Sequence, residues 1–428
     1  MMGIGFKLIV ILVLVLVLGT FSVLRSGVAR VDSVSSPKLQ EVERKLNRLK
    51  KPSVKSINSE DGDIIDCVGI WNQPAFDHPA LRNHTIQVTP NQNPKMERTS
   101  TTIKAPTKRN AGSSPTVVKS QIWQRSGSCP EGTIPIRRIQ KQDLLKANSL
   151  IEYGRKKPRF SPRFQHLDDN TDSFFQRENH SVAVLIAQGY RYLGAQGDIK
   201  VDFPFAEPDD YSTSQVSLKN GNDMYYEAIE SGWAVNPRVY GDRATRLFVY
   251  WTVDSSNKTG CFDLTCPGFV QTSNEVALGA AIHPILNSTG LPYQITTYIF
   301  QDENSGNWWV QCDGLNIGYW PADLFGTLRY QAVSVEWGGE VYSPKIGSHP
   351  HTATGMGNGR FPGWDDRRCL SGCIKRMRVL ENDQDLRFPE FVDAYTSEYG
   401  CYNVFYMEDY VEDPEFYYGG PGRSLWCP

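Results

Sequence analysis

Most familiar marks of hydrolytic chemistry are missing from this sequence. It has no G-x-S-x-G elbow to present a serine, no H-E-x-x-H pair to hold zinc and no G-x-x-x-x-G-K loop to cradle phosphate. Gly355-Met-Gly-Asn-Gly359 does not open a helix after a strand and reads as a turn. His349, His351, Cys369 and Cys373 suggest zinc ligands, but cysteines in an exported chain are more often bridged, so no metal or other cofactor is expected. Carboxylates remain. Two of them in a partly dry cleft cannot both ionise easily, so one keeps its proton. The ionised member can take a proton from water as it attacks a carbonyl, while the protonated member serves the oxyanion or the leaving amine. Glu227, Glu230, Glu336 and Glu340 lie in or beside the strings Ala228-Ile-Glu-Ser-Gly-Trp233 and Glu336-Trp-Gly-Gly-Glu340. Residue type does not choose among them, and a lone Glu in such a place is usually a surface or turn residue. If 335–340 is extended, Glu336 and Glu340 point to the same side, unless Gly338-Gly339 breaks the alternation.

The elements that would hold such a pair are strands. β-Branched and aromatic runs occur at 182–188, 199–203, 247–253, 293–300, 308–311 and 332–337, with a hairpin loop at 302–307. Long helical periodicity is absent after residue 181. The spacing predicts an all-β fold, an antiparallel β-sandwich of jelly-roll type, behind a small pro-domain. Trp233, Trp251, Trp308, Trp309, Trp320 and Trp337 either line a cleft or, more simply, fill the core.

Ahead of the strands, Lys7, the apolar run Leu8 to Leu18 and the small residues Ser26 to Ala29 read as a signal peptide over 1–29. That run is shorter than the roughly 20 residues a spanning helix needs, so no membrane attachment is expected after cleavage. Ser36-Pro37 with Leu39, Val42, Leu46 and Leu49 predicts a short amphipathic helix ended by Pro52. Residues 88–120 read as a polar loop. Proline-punctuated, basic sequence from Gly154 to Arg163, running on to Asp172, is a protease-sensitive boundary, which divides the chain into a pro-domain at 30–172 and a catalytic domain at 173–428.

Through residue 170 there are 27 Lys and Arg against 14 Asp and Glu, and beyond it 18 against 33. The basic residues lack an aromatic platform, so nucleic acid is not an expected partner. The nine cysteines and the sequons at Asn83, Asn179, Asn257 and Asn287 fit a glycosylated, disulfide-bonded, secreted protein, in the extracellular space, the cell wall or a vacuole.

Longer strings go further than composition. Glu60-Asp-Gly-Asp-Ile-Ile-Asp-Cys67, Gln73-Pro-Ala-Phe-Asp-His-Pro79 and Gly132-Thr-Ile-Pro-Ile-Arg-Arg138 resemble the neprosin activation peptide. Ala228 to Trp233, Gly260 to Thr272, Gly318-Tyr-Trp-Pro321, Glu336 to Glu340 and Tyr417-Tyr-Gly-Gly-Pro-Gly422 resemble the neprosin catalytic domain, in family order. The resemblance implies a zymogen of a glutamic endopeptidase that cuts after proline at acid pH, inhibited by its own pro-domain, with proline-containing proteins or peptides as substrates. It places the two catalytic carboxylates on Glu230 and Glu340. After the family's S-x-S/T-Q stretch this chain has Val216-Ser217 where an aromatic is common, which bears on subsite shape.

Gln271 is expected near the site as an amide donor, with Trp233 and Trp337 as substrate-binding rings. The cysteines are expected to pair as Cys67–Cys129, Cys261–Cys266 and Cys401–Cys427, with Cys369–Cys373 as a further local bridge and Cys312 left over. The protein is expected to be a monomer. A non-catalytic wall- or carbohydrate-binding sandwich is the competing class, and a glycosidase using the same carboxylates is chemically coherent.

Overall fold

The computed structural model describes residues 37–91, 121–147, 149–158, 160–162, 175–177, 179–222, 225–283, 293–364, 366, 369–382, 385–409 and 411–428. The expected leader, most of the 88–120 loop, Asn287 and residues 163–174 of the boundary segment lie outside them. Helix α1 (Pro37–Leu49) is the one that the proline and apolar stripe predict. It stops short of Pro52, whose ring and missing N–H cannot continue it. No helix among the described residues is long and apolar enough to cross a membrane.

Residues 45–428 make one compact unit. Its N-terminal part is a three-stranded antiparallel sheet of β1 (Ser53–Asn58), β2 (Ile64–Gly69) and β3 (Thr133–Arg137). Ile57, Ile65, Trp123 and the Cys67–Cys129 bridge cluster with Ala277 and Ala280, so this sheet packs on the rest of the chain. Helix α2 (Lys141–Lys146) follows, started by a capping box between Gln140 and Asp143. Strands β4 (Phe160–Pro162) and β5 (Phe175–Arg177) pair with each other.

Two larger antiparallel sheets form the sandwich. The first runs β11 (Cys261–Phe262), β10 (Arg246–Thr252), β9 (Tyr226–Val235), β8 (Tyr211–Gly221), β16 (Ala332–Tyr342), β6 (His180–Tyr192), β19 (Asp393–Thr396). The second runs β12 (Val270–Gln271), β15 (Leu315–Trp320), β14 (Trp308–Cys312), β13 (Gln294–Gln301), β7 (Gly194–Lys200), β17 (Gly372–Leu380), β21 (Glu415–Gly419), β20 (Asn403–Met407), with β18 (Leu386–Arg387) beside β17. Alternate residues of the first sheet, among them Leu185, Val216, Ile229, Trp233, Val249 and Trp337, enter the shared core. The inward Trp233 and Trp337 indoles donate to the carbonyls of Lys200 and Gln196 in the opposite sheet, each at 2.8 Å. These tryptophans are core, and the structure does not bring them to a cleft.

The hairpin loop at 302–307 falls between β13 and β14 as expected. The strand expected at 199–203 runs instead from Gly194 to Lys200, and residues 201–203 lie beyond its end. At Gly194 a Cβ would lie 2.8 Å from the Ile299 carbonyl, a close approach that hydrophobicity does not advertise. All four bridges are present, and Cys312 is free and buried.

Candidate active site

Glu230 on β9 and Glu340 on β16 are separated by β8, and the register of these strands fixes their relation. Glu336, Ser217 and Glu230 stand side by side across the three strands; Gly338, Gln215 and Gly232 form the next row; Glu340, Thr213 and Ala234 form the one after. Residues between these rows, such as Trp337, Val216 and Ser231, face the core, so both glutamates rise from the opposite face. Alternation is unbroken through Gly338-Gly339. Glu336 and Glu340 therefore do share a side.

What separates them is company. Glu336 pairs with Lys219 at the partly buried edge of the site. Glu227 accepts three backbone N–H bonds from Gly326, Thr327 and Leu328 and so organises a loop. Glu230 and Glu340, 3% and 0% exposed, meet at a single ammonium: Lys156 Nζ lies 2.5 Å from Glu230 Oε2 and 2.6 Å from Glu340 Oε2. The lysine comes from the N-terminal side of the expected domain boundary. Its head sits among the rings of Tyr250, Tyr211 and Phe262, with centroids 5.0, 5.8 and 5.9 Å away.

The strap that delivers Lys156 is built by close approach. The Gly154 carbonyl accepts from Phe262 N–H at 2.7 Å, and Tyr153 Oη donates to the Val239 carbonyl at 2.7 Å. At Gly154, φ is +82°, and a Cβ would stand 2.1 Å from Thr265 Oγ1, so only glycine fits. On the far side, Glu340 Oε1 is held by His180 Nδ1 at 2.7 Å and by Tyr211 Oη at 3.5 Å, which leaves Oε2 to the site. Lys156, His180 and Tyr211 escaped the sequence reading. Each is one polar residue beside an ordinary strand or loop pattern.

A second set of charges fastens the N-terminal sheet to the sandwich. Arg246 Nη1 donates to Asp63 Oδ2 at 2.6 Å and Nη2 to Asp242 Oδ2 at 2.6 Å, while Arg137 Nε donates to Asp63 Oδ1 at 2.9 Å. Here the acid is on the N-terminal side and the base on the sandwich, the reverse of the overall charge division. Docking thus runs on buried pairs of both senses. Gln271 belongs to this docking surface: its Nε2 donates to the carbonyls of Pro135, Ser273 and Val276, and its backbone N–H donates to Gln73 Oε1. It lies on β12 of the second sheet and is not brought to the glutamates.

Beside the clamp, burial pushes the Asp263 carboxyl up to about 7, against the pull of Tyr240 Oη at 2.8 Å, the Val249 N–H, Arg137 and Arg246. Burial likewise raises Asp202 and Asp313, each to about 6. From about pH 4 to pH 7 the unfolded chain gives up these protons before the folded one does, so their contribution favours the folded state at the acid end and fades as pH rises. Asp263→Asn should flatten the dependence of melting temperature on pH across that window. Asn keeps an acceptor and tolerates the φ of +54° found here. An unchanged slope would overturn the assignment.

Comparison with known proteins gives two family matches. The family model described as Neprosin matches residues 208–421, half of the chain, and the one described as Neprosin activation peptide matches residues 56–185. The second match ends within β6, an interior strand of the seven-stranded sheet. Among solved structures, scytalido-glutamic peptidase with a peptide-based transition-state analogue is 7% identical, with 57% of this chain and 98% of that chain covered and a TM-score of 0.30. An eqolisin-family peptidase, SCP-B, is 7% identical over 57% and 98%, with a TM-score of 0.28. A homodimeric agglutinin from chicken liver is 7% identical over 38% and 92%, at 0.21.

Proposed function

The chain belongs to the neprosin family, and from that premise we propose that it is the latent precursor of a secreted glutamic endopeptidase that cuts on the carboxyl side of proline at acid pH. The observation that carries the reading is the convergence of Glu230 and Glu340, from different strands and both buried, on the one ammonium of Lys156. Two acidic groups that reach the same point can act on one water and one carbonyl. The ionised glutamate takes a proton as water adds to the carbonyl carbon, and the other, protonated, serves the oxygen or the departing amine. His180 and Tyr211 orient Glu340 from behind. With Lys156 in place no peptide can lie between the carboxylates, so the N-terminal region acts as the inhibitor.

Once the lysine leaves, Tyr211, Tyr250 and Phe262 become walls of the cleft, and flat aromatic faces suit a proline ring. Four disulfides and exposed sequons at Asn83 and Asn257 support passage through an oxidising, glycosylating route. Maturation must remove Lys156 and keep His180, the first residue of β6 and the partner of Glu340. Incubating the purified precursor at acid pH should give a new N-terminus between residues 157 and 180, together with activity on peptides containing proline. A cut outside that interval, or a matured chain that leaves such peptides intact, would overturn the reading.

A further inference from the structure

Gln215 stands between the two glutamates. On β8 it is two residues from Thr213, which lies opposite Glu340, and two from Ser217, which lies opposite Glu230. Its side chain therefore rises from the same face, midway between the carboxylates. Across both strand pairs its neighbours are glycines, Gly232 and Gly338, so no side chain stands beside it. Neither position accepts a Cβ, which at Gly232 would lie 2.0 Å from the Ser214 carbonyl and at Gly338, with φ +151°, 2.2 Å from that of Ala183. Gln215 is 2% exposed, and its carboxamide oxygen has no hydrogen-bond partner. A buried, unpaired amide oxygen costs stability, and a hydrophobic residue of the same size would avoid the cost. Persistence of such a group in the centre of a reactive site points to a use that begins when the latent state ends.

We propose that Gln215 is a third catalytic residue, an amide that binds the scissile carbonyl oxygen when substrate takes the place of Lys156. This rests on the peptidase reading above. The oxygen of the carboxamide is unpartnered, so a half-turn that presents its N–H to the cleft breaks no bond made by that oxygen. Water adds to the carbonyl carbon as one of its protons passes to the ionised glutamate. The π pair moves onto the carbonyl oxygen, which the Gln215 N–H and the protonated glutamate share. Collapse re-forms the C=O bond and breaks the C–N bond, and the amine leaves with a proton from a glutamate. A neutral amide contributes a donor to this sequence without entering the proton exchange.

The test uses Gln215→Leu and Gln215→Glu, as full-length chains and after maturation by an added protease that is then removed. For matured Gln215→Leu, kcat should fall about 10²–10³-fold with KM nearly unchanged. Full-length Gln215→Leu should melt at or above the wild-type temperature, because the change removes an unsatisfied polar group. Matured Gln215→Glu should be slow near neutrality and recover toward acid, where the new carboxyl carries a proton and can donate. A wild-type kcat for Gln215→Leu overturns this inference alone, and so does a lowered melting temperature with the loss confined to KM, the signature of a packing role. A matured wild-type chain without peptidase activity overturns the peptidase reading and this inference with it.

Discussion

Glu230→Gln and Glu340→Gln should each lower cleavage of a proline-containing peptide by about 10³-fold, since proton transfer by a placed carboxyl contributes roughly 10²–10⁴-fold. The same substitutions should leave the precursor folded. In the latent chain Lys156 faces two carboxylates, and converting one to an amide leaves an ion pair and a hydrogen-bond acceptor around the same ammonium. Both full-length variants should therefore still fold, with a melting temperature lowered because Lys156 keeps only one charged partner. Glu336→Gln shares the sheet face but lies at the edge of the site with Lys219 and away from Lys156, so its activity should remain close to wild type. Loss of activity in Glu336→Gln with retention in Glu340→Gln would move the second carboxylate to residue 336. An enzyme that needs one ionised and one protonated carboxyl also has a bell-shaped pH profile, and replacing either glutamate removes one of its limbs.

How much of this could be read beforehand depends on the face a residue occupies. Strands such as β10, β13 and β14, buried on both faces over nearly all their length, show as β-branched and aromatic runs, and their places were legible. Strands β8 and β9, which carry Gln215 and Glu230, were not. Tyr211-Ser-Thr-Ser-Gln-Val-Ser-Leu218 puts polar groups on a face that is buried under the N-terminal strap, so the alternation that marks a half-buried strand is weak there. The glutamate pair was placed by resemblance to the family strings, and the register explains why unaided reading fails: Glu336 and Glu340 share a face and differ only in what they meet. Gln271 misled because an amide suits both an oxyanion donor and a structural anchor. The geometry of its three carbonyl acceptors makes it the anchor. Cysteine pairing was legible because the short separations at Cys261–Cys266 and Cys369–Cys373 leave few alternatives.

Lys156 was the least legible residue of the site. In sequence it is one of five basic residues between Arg155 and Arg163, a stretch that reads as exposed and easily cut. In the fold its head lies among aromatic rings from β8, β10 and β11, and its side chain is 3% exposed. Truncating one partner of a buried, hydrogen-bonded charge pair costs about 2–5 kcal/mol, much of it from the charges left unpaired, so Lys156→Met should raise the open population of the precursor roughly 30- to 5000-fold. Maturation in acid should accelerate toward that factor, while Lys157→Met, which removes only a more exposed contact with Glu152, should mature at the wild-type rate. The Asp63–Arg246 clamp remains in both variants, so the N-terminal sheet stays docked and the comparison isolates the strap. Acid favours release because protonating either glutamate takes a charged partner from the ammonium. Salt should matter little, since pairs this deeply buried are poorly screened. The measurement is a time course of maturation for the three chains at several pH values and salt concentrations. Equal rates for Lys156→Met and wild type would remove the lysine as the lock, and a strong acceleration by salt would shift the attraction from these buried pairs to the exposed charges of the two halves.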